Sequence, residues 1–123
     1  MPALEKARKR RPFSANAAVV FGAILMAVGL FGLILPASWS PMSTATSYDF
    51  FHVVFGVLSI LSGLEGNALA ARSFLFGFGL IDLYQAVASM YGWFPASWFQ
   101  WRPADDWMHW LVGAALVALS AIS

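Results

Sequence analysis

A chain of 123 residues that is 60% apolar and only 11% charged, with a mean hydropathy of +0.72, is too apolar for a water-soluble domain of its size. A net charge of +1 and a single short basic run exclude the broad basic surface of a nucleic-acid binder, and the lack of cysteine excludes a disulfide framework or a thiolate site. The natural solvent of such a chain is a lipid bilayer.

The opening segment, 1–15, carries Lys6, Arg8, Lys9, Arg10 and Arg11 and reads as a cytoplasmic basic tail drawn to anionic lipid. It imitates a cleavable signal, but the length of the following span and its kinship to the third span argue for retention. Four stretches then reach the roughly 20 helical residues that cross a hydrocarbon core: 16–35, 48–66, 71–92 and 105–122. Continuous apolar runs of that length exclude the alternating strands of an outer-membrane barrel. The expected fold is all-α and polytopic, with four transmembrane helices in one compact domain, 16–123. The loop 36–47 is rich in Pro, Ser and Thr, and its counterpart 93–104 is aromatic. Between them, the short inner connection makes the second and third spans neighbours, with Glu65 and Arg72 placed to pair.

The two halves repeat. Asp49-x-x-His52-x-x-x-Gly56 returns as Asp106-x-x-His109-x-x-x-Gly113, and these histidines are the only two in the chain. Phe21-Gly22 precedes the first motif as Phe78-Gly79 precedes the second, and Pro36-Ala37-Ser38-Trp39 returns as Pro95-Ala96-Ser97-Trp98. The chain is therefore expected to be two tandem hairpin repeats, 16–66 and 71–122, related by a pseudo-twofold along the membrane normal.

Five of the seven Lys and Arg residues precede the first span and Arg72 enters the third, which predicts both termini on the cytoplasmic side of a bacterial inner membrane. Only Arg102 falls opposite. All six tryptophans then gather at the outer face as an aromatic belt. On the second span Asp49, His52, Gly56, Ser59 and Gly63 fall in one stripe about 80° wide. Small residues of this kind let helix backbones approach in lipid.

Asp49 and Asp106, or its neighbour Asp105, stand where loops turn into helices, the place of an N-cap, with each motif histidine positioned to point back at its aspartate. The functional alternative sets His52 and His109 opposite each other at one depth. They would hold a haem or chlorophyll-type pigment, or a divalent metal together with the aspartates. Asp82 breaks the symmetry, since Leu25 occupies its place in the first repeat. It lies about 13 Å from the outer end of its span, where a carboxylate needs a partner such as Gln85, Tyr84 or Ser59, or marks proton-linked transport.

Phe51-His52-x-x-x-Gly56, Ala71-Arg72 and the run Ala104-Asp105-Asp106-Trp107-Met108-His109-x-x-x-Gly113 together resemble a family of small four-helix bacterial membrane proteins of unknown function. The resemblance covers nearly the whole chain after the basic tail and implies the fold and the location rather than an activity. The chain departs from that family just before the first motif, where residues 44–51 carry neither Asn nor a second His. With no thiol, phosphate-cradling loop or activated nucleophile in evidence, the expected role is non-enzymatic. It is that of a structural or accessory subunit packing in the lipid bilayer with copies of itself or within a larger membrane complex, and without nucleic acid.

Overall fold

Helices form wherever the apolar runs lack Pro and paired charges, and the punctuation between them sets their ends. The computed structural model describes residues 11–122; the basic run ahead of Arg11, read above as a surface tail, lies outside the described residues. Helix α1, Phe13–Ile34, follows Pro12 and stops just short of Pro36, which cannot continue a helix. A single 3-10 turn, Ala37–Trp39, leads to α2, Thr46–Leu64. Gly66, at φ +74°, makes the left-handed step into the next helix, and the Asn67 side chain caps that helix by accepting from the Leu69 and Ala70 amides at 2.9 and 3.2 Å. Helix α3, Ala68–Tyr91, ends at Gly92, also left-handed at φ +69°. One further turn, α4 (Ala96–Phe99), precedes α5, Pro103–Ala121, whose first residue is the proline that suits that position. No strand occurs among the described residues.

The chain is thus all-helical, and α1, α2 and α3 are each long and apolar enough to cross a membrane, with mean hydropathies of 2.6, 1.4 and 1.3. Helix α5 has the length, but Asp105, Asp106 and His109 in its first two turns dilute its apolar character. Each long helix begins two or three residues before the apolar run that predicts it. The first turn needs no apolar face, because its amides point at loop atoms rather than at the core.

Helix α1 packs antiparallel on α2, and α3 packs on α5, with the two pairs joined through α1–α3 and α2–α3 contacts. Glycines set the closest approaches. A Cβ added at Gly22 would lie 2.5 Å from the Gly56 carbonyl oxygen and 2.8 Å from the Ile60 amide. In the second pair, a Cβ at Gly79 would lie 3.0 Å from the Gly113 carbonyl and 2.9 Å from Val117. These are the same positions displaced by the 57 residues that separate His52 from His109. The small-residue seams therefore close the chain on itself rather than face a partner.

The inner ends are tied alike. Arg11 donates to the Gly63 and Leu64 carbonyls at 2.6 and 3.0 Å, and Arg72 donates to the Ser120 carbonyl at 2.8 Å. Each guanidinium satisfies the orphan carbonyls of a helix C-terminus, where the dipole favours a cation. That is where Arg72 goes instead of to Glu65. Between the pairs, Phe78 packs against Phe21, Phe51, Phe55 and Phe74 at centroid distances of 5.2 to 5.8 Å. Large apolar side chains such as Val20, Ile24, Leu61, Leu80 and Leu111 are left on the outside.

Candidate functional site

Half of the ten buried polar side chains among the described residues, Ser43, Asp49, His52, Asp105 and His109, collect at the end where α1 and α3 finish and α2 and α5 start. The antiparallel pairing brings all six tryptophans to that end. The reason begins in the loops. Ser43 donates through its amide to Asp105 Oδ2 at 2.7 Å and through its hydroxyl to the Phe99 carbonyl, and the Arg102 amide donates to the same Asp105 oxygen at 2.9 Å. Arg102 also donates from its guanidinium to the Ser40 carbonyl at 3.0 Å, and Ser47 donates to the Trp98 carbonyl at 2.7 Å. The two loops are thereby stitched to each other above the helix starts.

Beneath them lies Tyr48. Its hydroxyl is hydrogen-bonded to His109 Nε2 at 2.7 Å, and its ring packs on His52 with centroids 4.1 Å apart. Phe99 and Trp101 close the cluster from the loop side, Trp101 lying edge-on to His109 at 5.6 Å. His52 and His109 are thus brought to one cluster, as the sequence spacing suggested, but through a tyrosine that fills the gap. A flat macrocycle ligated by both imidazoles does not fit here, because the ligating Nε2 of His109 is taken and the Tyr48 ring covers His52. Nor do His52, His109, Asp49 and Asp106 converge as a metal site: no group of three or more metal-ligating side chains forms among the described residues.

The aspartates differ from their expected roles. Helix α2 starts at Thr46 with Ala45 before it, so Asp49 sits inside the first turn instead of capping it, and His52 turns to Tyr48 rather than back to Asp49. In the second half it is Asp105, fully buried, that accepts the loop amides, whereas Asp106 is only half-buried and its Oδ1 has no partner. The geometry explains the choice. Tyr48 with His52 and Asp105 with His109 are both spaced i, i+4 and share a helix face, while Asp49 and Asp106 are turned aside by one residue. Asp82 is buried on α3 and accepts from Gln85 Nε2 at 3.3 Å. Tyr84 bonds the Phe94 carbonyl and Ser59 the Ala18 carbonyl, so neither serves Asp82.

Several buried polar atoms at this end have no partner among the described residues: His52 Nδ1, His109 Nδ1, Asp105 Oδ1, Gln85 Oε1 and Trp101 Nε1. So many orphaned groups in one place are unusual, since more than nine in ten buried polar groups are paired. Sequence reasoning missed Tyr48, Ser43 and Trp101. Only Tyr48 left a trace, as the residue aligned with Asp105 by the 57-residue offset.

Tyr48→Phe is expected to destabilise the protein by about 1–3 kcal/mol, because it strips the buried His109 Nε2 of its only partner while keeping the ring. Thermal unfolding in detergent checks this, and a change below about 0.5 kcal/mol would show that the bond contributes nothing net.

Compared with known protein families, curated proteins and solved structures, the chain matches none.

Proposed function

We propose that the chain is an integral membrane protein of four transmembrane helices, built from two copies of one hairpin and resident in a bacterial inner membrane with both termini cytoplasmic. In this reading it is a non-enzymatic structural or accessory component, and α5 is the fourth span, its polar first turns lying among the outer tryptophans. The observation that carries it is the matched pair of glycine crossings, Gly22 with Gly56 and Gly79 with Gly113, beneath an exterior of large apolar side chains. Close helix approach through small residues is how a bundle holds together where lipid removes the hydrophobic drive between helices. Because those seams are internal, a second copy or a larger assembly would dock on the lipid-facing surface.

The absence of cysteine makes the test direct. Ser38→Cys, in the outer loop, is expected to react with a membrane-impermeant maleimide in intact spheroplasts, and Glu65→Cys only after lysis. Labelling of both from the same side would remove α2 as a span. Chemical crosslinking in membranes addresses the accessory role: a protein recovered solely as monomer would count against it.

A further inference from the structure

A cavity of about 250 Å³ opens between the end of α1, the loop after it and the start of α2. It borders the Tyr48 cluster and shares Ser43, Tyr48 and His52 with it. Its polar lining includes Asp49 and His52, with 4% and 6% of their surfaces exposed, and Gly32 of α1 stands against the carboxylate so closely that a Cβ there would collide with Asp49 Oδ1. No hydrogen bond or ion pair reaches the Asp49 carboxylate among the described residues, and His52 Nδ1 is likewise without a partner. Among the described residues, the one Lys or Arg side chain at this end, Arg102, is committed to the Ser40 carbonyl. The remaining walls are mostly apolar, with Phe31, Leu35 and Met42 among them, Ser40, Ser43, Thr44 and Tyr48 on the loop side, and Trp39 exposed at the mouth.

From this cavity we infer a binding site for a small organic ammonium, a primary amine carried on an apolar body, with Asp49 as counter-ion and His52 as second acceptor. A buried carboxylate with no partner is costly, and a cation that brings its own N–H donors removes that cost. Three donors on one nitrogen suit two acceptors on adjacent turns of α2. An anion would meet the same carboxylate and be repelled. The volume lies just below the roughly 300–1,000 Å³ of pockets for drug-sized ligands, which suits a small amine or a single headgroup. The ammonium can come from a free amine or from the ethanolamine headgroup of a lipid, since in the four-span reading the mouth opens at headgroup depth.

The test uses the full chain. In one arm, benzylammonium chloride is titrated into protein in an uncharged maltoside, followed by calorimetry and tryptophan fluorescence. In the other, native mass spectrometry reads lipid retained from nanodiscs of phosphatidylglycerol with or without phosphatidylethanolamine. Saturable one-to-one binding is expected in at least one arm, weakened tenfold or more by Asp49→Asn. Met42→Trp, a loop substitution that fills the cavity, is expected to abolish binding with the melting temperature unchanged, and it decides the matter if Asp49→Asn disturbs the fold. Binding of the free amine identifies a soluble ligand, and binding of phosphatidylethanolamine alone identifies the headgroup. No binding in either arm, or binding that survives both substitutions, overturns the assignment.

Discussion

Gly22→Ala is expected to destabilise the bundle by about 3 kcal/mol and Gly79→Ala by about 1 kcal/mol, the two ends of the usual range for forcing a methyl into a packed core. The added Cβ at position 22 would meet backbone on the facing helix, at the Gly56 oxygen and the Ile60 nitrogen, and backbone cannot yield without moving the whole of α2. At position 79 the nearest atom is a Val117 methyl at 2.9 Å, and the Gly113 oxygen lies at 3.0 Å, so a few tenths of an ångström of shift suffice. Gly77 lies two residues away on the same helix and has nothing within 4 Å of its Cβ position. Gly77→Ala should therefore be neutral or stabilise by about 0.5–1 kcal/mol through helix propensity alone. Unfolding of the three variants in one detergent supplies the comparison. If Gly77→Ala proved as harmful as Gly22→Ala, the assignment of the seams to contacts within the chain would be wrong.

That ordering shows what the sequence could and could not reveal. Periodicity identified all four long helices and the buried stripe of α2, because apolar length and small-residue spacing are local properties. It could not tell that the seams close each hairpin on itself, since Gly22 needs Gly56 on another helix to give it meaning. The motif drew attention to Asp49 and Asp106, where the conspicuous repeat lies. The contacts instead select the preceding residues, Tyr48 and Asp105, which differ chemically between the halves and so leave no repeated letter to notice. Ser43 is less legible still. Nothing in the loop distinguishes it from its serine neighbours until α5 brings Asp105 beneath it. The histidine pair was legible as a pair, but its tyrosine bridge depends on a side chain 61 residues from His109 in sequence.

Asp105→Ala should destabilise the protein by about 2–6 kcal/mol, from a buried and a part-buried amide each losing an acceptor at about 1–3 kcal/mol. Ser43 N–H and Arg102 N–H converge on one carboxylate oxygen, and Asp105 is wholly buried, so water cannot replace it. Asp105→Asn retains an acceptor oxygen of the same shape and is expected to lose less than half as much. Asp106→Ala is the control, because its half-buried carboxylate has one oxygen with no partner to lose. Hydrogen exchange gives the local readout: in Asp105→Ala the amides of Ser43 and Arg102 should exchange much faster, while those near the Gly22–Gly56 crossing keep their protection. Equal effects of Asp105→Ala and Asp106→Ala would mean that the carboxylate joins nothing across the two loops. The unequal result would instead make Asp105 the link by which the loop of the first hairpin is held by the first turn of α5. Because the mouth of the Asp49 cavity is formed by that same loop, loosening it should also open the cavity, which ties the stability of α5 to the shape of a site on α2.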